Sequence, residues 1–554
     1  MRAGWESSPS PFEPDKARQE RRDRMARMIR DELTDMLGAA PSSRESFHDL
    51  GLNSLQLCRL GSRLAADAAV ALRHPSIDQL SDHLSQAPSA PHLPPPPAPP
   101  APGSGIPQLF NQQACFAWHE TATDSAFLHL SLPIRILSPV DPIALEGALQ
   151  TLITRHAALR TRFYRQGGEP VQRVDENRAV HLETVTVQTT PWPEVTARIQ
   201  TAARRPFDLD RDPLVRGHLF TRGFRDHLLL IVAHHIAVDA TAFAILIHEL
   251  FSGYAARLAG ERPPPPAEGW TMAAFAQWQT ARLAGPEGER AWRHWRERLA
   301  HDPPLVHLPT DHPGGSPTRH QGACHPIHLE PTLVHALRTL AKRKGVTLYM
   351  LLLAGLGILL HHASGQDDIL VATHTQNRER PEWADLVGYL ADTVAIRTKI
   401  SPTDQFPTLL QRVRETVTDA LAFQGIPMKW LEGRLKLQRE TLCNIWFTML
   451  PLELYGDMAP LFSGRTESPI ERGGLRLMAA PDLLPAWLGV WYDLELALLE
   501  EADAVSGTLT YRTDRFEANT IARLARNFQT LLQTIVAHPD QTIPELTRAI
   551  PKTA

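Results

Sequence analysis

Along residues 17–37, Met25, Met28, Ile29, Leu33, Met36 and Leu37 recur at helical spacing among charged residues, which predicts an amphipathic helix. A second helix is expected near Ser54, carrying Leu55, Leu57, Leu60 and Leu64, and a third after Pro75 and Ser76. There the serine can cap while Ile77, Leu80 and Leu84 face inward. The first 86 residues therefore read as a small helical bundle. Beyond residue 107 the pattern changes to short apolar runs alternating with longer helical ones. Strands are expected at 227–233 (HLLLIVA), 368–373 (DILVAT), 394–398 and 507–512. Helices are expected at 142–156, 241–259, 273–283, 332–344, 348–363 and 514–537. That alternation predicts a mixed α/β class.

Residues 87–107, APSAPHLPPPPAPPAPGSGIP, separate the two regions. Repeated prolines fix φ and remove backbone donors, so the stretch reads as a semi-rigid polyproline spacer. About 20 such residues reach on the order of 60 Å, enough for one folded unit to swing around another. The prolines at 263–266 read as a loop inside the second region.

A chain of 554 residues is too long for one core, and 43% hydrophobic with 21% charged residues is ordinary for globular protein. A formal charge of -4 and the lack of a basic stripe argue against nucleic acid or an anionic membrane as partner. Cys58, Cys115, Cys324 and Cys443 lie far apart, which suits neither a disulfide framework nor a zinc site. The opening residues hold no apolar run of signal-peptide length, and the run at 348–360 is too short to span a bilayer. A soluble, cytoplasmic protein is the expectation.

Two places carry candidate chemistry. Ser54 follows a turn built from Asp49, Gly51 and Asn53 and opens a helix. It can be an ordinary capping serine, or an exposed hydroxyl placed where a helix start favours an attached phosphate. His234-His235-Ile236-Ala237-Val238-Asp239-Ala240 lies between an apolar strand and an apolar helix, where side chains meet a cleft. Its histidines can be polar residues at a strand end, metal ligands with a carboxylate, or a base that takes a proton from an amine or hydroxyl. Adjacent strand residues face opposite ways, so the pair does not readily share one metal. An aspartate four residues on, buried with an arginine, would hold the turn that aims the ring. Metal binding is not expected.

L-G-L-N-S-L at 50–55, followed by H-P-S-I at 74–77, resembles the phosphopantetheine attachment region of acyl and peptidyl carrier proteins. That resemblance places 4'-phosphopantetheine on Ser54. Asn53 stands where polyketide-type carriers usually show aspartate, and the short span from Leu64 to Pro75 trims the loop and small helix usual there. H-H-I-A-V-D-A resembles the H-H-x-x-x-D-G signature of nonribosomal peptide condensation domains, which share the chloramphenicol acetyltransferase-like fold. Further segments agree in order: NQQACFAW at 111–118, RHAALRTRF at 155–163, WTMAAFAQW at 270–278, LPTDHP at 308–313 and LVGYLADTVAIR at 386–397, with Asp392 for asparagine.

The resemblance implies a carrier (1–86), the linker (87–107) and two lobes (108–283 and 284–554) meeting in a V around a tunnel. It makes His235 the catalytic residue, groups His234 and Asp239 with it, and pairs Asp239 with Arg160, or else Arg155 or Arg397. If position 240 requires a positive φ, alanine there costs roughly 1 kcal/mol. The implied activity joins a carrier-bound acyl or peptidyl thioester to an amine or hydroxyl, forming an amide or ester in nonribosomal peptide or hybrid polyketide biosynthesis. The implied partners are a phosphopantetheinyl transferase, an upstream loading enzyme or synthase module, and an acceptor carrier protein or free small molecule. An epimerase-type domain, a non-catalytic docking platform for tailoring enzymes, and an acyltransferase using coenzyme A thioesters are the alternatives. The aromatic residues of the second region and His361-His362 read as packing and a helix end.

Overall fold

The computed structural model describes residues 15–43, 45–64, 66, 69–86, 96–97, 105–265, 269–299, 303–312, 321–378, 380–436, 442–464, 468–484, 490 and 492–551. Most of the proline-rich linker, Pro266, Pro313 and the first fourteen residues lie outside them.

The N-terminal helices form where the apolar spacing places them, at Asp15–Leu37, Ser54–Arg63 and Ile77–Gln86. Ile29, Leu33, Leu57, Leu60, Ile77 and Leu80 make the inner face, while Met28 points outward. The helix at Ser54 is capped by Asn53, whose side chain accepts from the Gln56 N–H while the Gln56 side chain accepts from the Asn53 N–H. Ser54 is thus the first helical residue and its hydroxyl is not needed as the cap. One expectation is corrected here: a single-turn helix, Val70–Arg73, occupies the span after Leu64. Buried Val70, Ala71 and Leu72 supply the packing that makes so short a helix hold.

The remainder contains two six-stranded mixed sheets and a small three-stranded one. The first large sheet runs Ile470–Arg472, Leu475–Ala479, His129–Ile136, Asp226–His234, Val215–Gly223, Leu182–Thr186. The second runs Asp392–Lys399, Asp368–Thr375, Ile445–Pro451, Leu494–Glu500, Val505–Arg512, Gly322–Leu329. Residues 228–233 are buried throughout, as expected for a central strand covered on both faces. Helices Pro142–Arg155 and Ala240–Leu258 pack together in the first lobe, and Leu348–Ser364 is the buried axis of the second.

A boundary at residue 284 does not divide the lobes cleanly. Strands Ile470–Arg472 and Leu475–Ala479 return to extend the first sheet, and Trp383, Val387 and Leu390 join the first core. Strand pairing costs nothing in sequence distance once both lobes have folded, so a return is invisible to a linear reading. The N-terminal bundle packs on the second lobe through a shared apolar cluster. Gly345, at φ +65°, ends helix Pro331–Lys344 and lets Leu348–Ser364 leave at 102° to it. Thr347 caps the new helix at the corner and lies 2.8 Å, Oγ1 to Oγ, from Ser54.

Candidate active site

The turn after strand Asp226–His234 is held from several sides. His235 N–H donates to the Leu128 carbonyl (2.8 Å), Val238 N–H to the His235 carbonyl (3.3 Å) and Asp239 N–H to the Gly388 carbonyl (3.2 Å). Gln112 Nε2 donates to the Ile236 carbonyl (3.2 Å), and Asn111 Nδ2 to the carbonyls of Tyr389 (2.9 Å) and Ala391 (3.0 Å). The polar start of the 111–118 motif therefore ties the histidine turn to the 386–391 loop.

Strand alternation separates the two histidines. His234 is fully buried; its Nδ1 accepts from the Ile236 N–H (3.1 Å), which puts the ring proton on Nε2, 3.2 Å from His119 Nδ1. Burial first, then the neighbouring His129 and His119, holds its pKa well below the ordinary histidine value. A ring sealed among His119, His129 and Phe207 touches no substrate, so the grouping of His234 with the catalytic residues is corrected to a structural role. His235 keeps part of its surface accessible and lies against Tyr389, ring centroids 4.4 Å apart. Burial lowers its pKa, opposed by the carbonyls of His235 and Val238 and the Asp239 charge, so the ring is a neutral base near pH 7.

Asp239 is the N-cap of Ala240–Leu258: one carboxylate oxygen accepts from the Ala242 N–H (2.8 Å). The other accepts from Arg378 Nη1 (2.7 Å), Leu390 N–H (3.0 Å) and Ala391 N–H (2.9 Å). Both members of the ion pair are almost completely buried, with side chains 2% and 4% exposed. The expected pairing with Arg160 is corrected accordingly. Arg160 bonds Glu176, Arg155 bonds Glu249, and Arg397 bonds Asp368. Each finds a carboxylate within its own lobe, whereas Asp239 is roofed by a loop from the other half of the chain, and the cation comes with that roof. Arg378 follows strand Asp368–Thr375 directly after Asn377, which has φ +51°. That unusual backbone was the one local sign of a special position, and spacing alone does not reveal it. Ala240 starts its helix and is not among the residues with positive φ, so the glycine-to-alanine strain does not arise.

The other motif segments are mostly scaffolding. His156 bonds Glu249 (2.6 Å), Asp311 accepts from the Glu517 N–H (2.8 Å) and the Thr520 hydroxyl (2.9 Å), and Trp270, Phe275, Trp278 and Trp383 form one aromatic cluster. Asp392 is buried and its pKa is pushed up to about 7. His361 ends its helix by bonding the Gln366 carbonyl (2.9 Å).

A cavity of about 740 Å³ opens at Ser54. Its walls include Leu55 and Arg59 of the N-terminal bundle and His374, Arg378 and Leu421 of the second lobe.

Two mixed sheets on separate cores, with a neutral histidine at the end of a central strand and an aspartate pinning its turn, define a two-lobed acyltransferase of the chloramphenicol acetyltransferase type. A condensation-domain profile matches residues 105–552, and the chain belongs to the condensation domains of nonribosomal peptide synthetases. It is 32% identical over 515 residues to a linear gramicidin synthase of Brevibacillus parabrevis, covering 91% of this chain and 6% of that protein. It is 31% identical over 459 residues to the phosphinothricin tripeptide synthetase PhsC of Streptomyces viridochromogenes, covering 80% of this chain and 40% of that protein. The chain thus spans well under two thirds of these relatives. The X-domain from teicoplanin biosynthesis shares the fold at a TM-score of 0.73 and 23% identity, over 83% of this chain and 100% of that one. So does the first condensation domain of the calcium-dependent antibiotic synthetase with a substrate analogue, at 0.64 and 19%, over 80% and 99%.

Proposed function

We propose that this chain pairs a carrier unit, modified at Ser54, with a condensation domain that passes the carried acyl group to an amine or hydroxyl at His235. The observation that carries this reading is the shared cavity: Ser54 and Arg378, the partner of Asp239, line the same space. The similarity to the linear gramicidin synthase covers 91% of the chain, so it reaches past residues 105–552 into the N-terminal helices, which supports a carrier there.

The residues around Ser54 suit a phosphopantetheine arm. The hydroxyl is free of capping duty, and the cavity beyond it mixes amide-binding walls (Gln376, Gln424) with apolar ones (Leu421, Met449). When bound there, the group supplies the thiol that carries the acyl chain as a thioester. His235, neutral through burial, accepts a proton from the attacking amine or hydroxyl as the new bond forms. Asp239 and Arg378 keep the turn fixed, and Tyr389 limits the swing of the ring. Confinement of both reactants in one cavity supplies the proximity contribution.

The test is intact-protein mass spectrometry after treatment with a phosphopantetheinyl transferase and coenzyme A. A phosphopantetheine addition on the full chain, lost in Ser54→Ala, is expected; an unmodified Ser54 overturns the carrier assignment. The pH dependence has a definite sign. Since the neutral form of His235 works and its pKa lies below 6.5, kcat/KM corrected for the acceptor's own ionisation stays flat above pH 6.5. It falls only at lower pH, as the ring protonates. A limb centred above 6.5 contradicts this assignment.

A further inference from the structure

The strand Asp368–Thr375 brings a second imidazole to the cavity that opens at Ser54. His374 lines that cavity, its side chain is 34% exposed, and its ring lies 4.6 Å, centroid to centroid, from Trp446. Among the described residues the ring makes no hydrogen bond. Its nearest polar neighbour is Glu495, whose Oε1 stands 4.0 Å from Nε2, too far for a hydrogen bond. Glu495 is itself occupied and nearly sealed: it accepts the hydroxyls of Thr448 (2.9 Å) and Tyr492. A half-buried polar ring facing open space with both nitrogens unused is the arrangement left when the missing partner is a ligand.

The chemistry of that ligand follows from the surroundings. An acceptor oxygen on the Nε2 side favours the tautomer with its proton on Nε2, which leaves Nδ1 as the ring's acceptor. The ring therefore calls for a donor, an N–H or O–H. It also lies near the reacting centre, because His374 and His235 are close enough for charge on one to oppose charge on the other. Burial and that opposition push the His374 pKa down to about 4, so it remains a neutral hydrogen-bonding group and not a competing cation.

Resting on the proposed loading of Ser54, we propose that His374 is a specificity-determining contact that selects acyl groups bearing an amino or hydroxyl substituent next to the transferred carbonyl. A site built to hydrogen-bond a substituent penalises the analogue lacking it, because its own polar atom is then left unpaired. An unsubstituted acyl chain leaves the imidazole in that condition.

The full-length protein with ¹³C-labelled histidine is loaded at Ser54 with three stable pantetheine amides: glycyl, hydroxyacetyl and propionyl. The His374 ring resonance, identified by its loss in His374→Phe, is expected to move with the first two arms and not the third. With the corresponding thioesters, glycyl is expected to be preferred over propionyl in kcat/KM by about tenfold or more. His374→Phe, which retains an aromatic ring against Trp446, is expected to abolish that preference, and His374→Asn to restore part of it. The same His374 resonance with all three arms overturns the inference while the carrier reading stands. Failure of the arms to load, seen by mass, overturns both.

Discussion

His235→Ala is expected to lower the rate of acyl transfer by about 10²–10⁴-fold, the range typical for losing a positioned general base. The fold should hardly notice. His235 is partly accessible, its backbone N–H bond to Leu128 survives the change, and the turn is fixed by Asp239 and Gln112. Single-turnover loss of the acyl group from the loaded chain, followed by mass, measures the effect. Unchanged turnover would show that the ring serves only as cavity wall and would favour a docking role for this domain. The paired control is His234→Ala, which removes a ring buried among His119, His129 and Phe207. That change should act on stability, with catalysis following only as the fold loosens.

The largest stability effect is expected at Arg378. Arg378→Met retains the stem but removes the guanidinium bonded to Asp239, leaving a carboxylate 1% exposed on its backbone donors. Breaking a buried pair from one side costs about 3–5 kcal/mol, because the remaining charge is neither solvated nor compensated. Asp239→Asn combined with Arg378→Met should be less harmful than the sum of the two single changes, since no buried charge then remains. Arg160→Ala should cost under about 1 kcal/mol, because its partner Glu176 is largely exposed. Urea unfolding of the full chain, read from tryptophan fluorescence, measures all four variants. Equal destabilisation by Arg160→Ala and Arg378→Met would refute the assignment of the ion pair.

The secondary structure was largely legible because each element announces itself locally. The apolar run at 227–233 became Asp226–His234, and the runs at 368–373 and 394–398 became adjacent strands of one sheet. The helix expected from 514 begins only at Ala518, because Asp514 is occupied by Arg512 (2.9 Å) in the preceding turn. His235 and Asp239 were legible for the same local reason: both lie on one strand-to-helix turn and need only each other's spacing to be noticed.

Arg378, Tyr389 and His374 were not legible in that way. They reach the site from strand Asp368–Thr375 and the loop after it, about 140–155 residues from the turn they serve, and nothing in their immediate neighbours marks the encounter. Three arginines lay in family-like segments and all found carboxylates closer to hand. The amino-acid sequence by itself determined the elements, the mixed α/β class and the histidine turn, since these follow from periodicity and adjacent chemistry. Only the tertiary structure decided which cation meets Asp239, which histidine sees the cavity and which walls enclose Ser54. Those outcomes depend on how two cores pack, and electrostatic partners buried between them are chosen by geometry instead of distance along the chain.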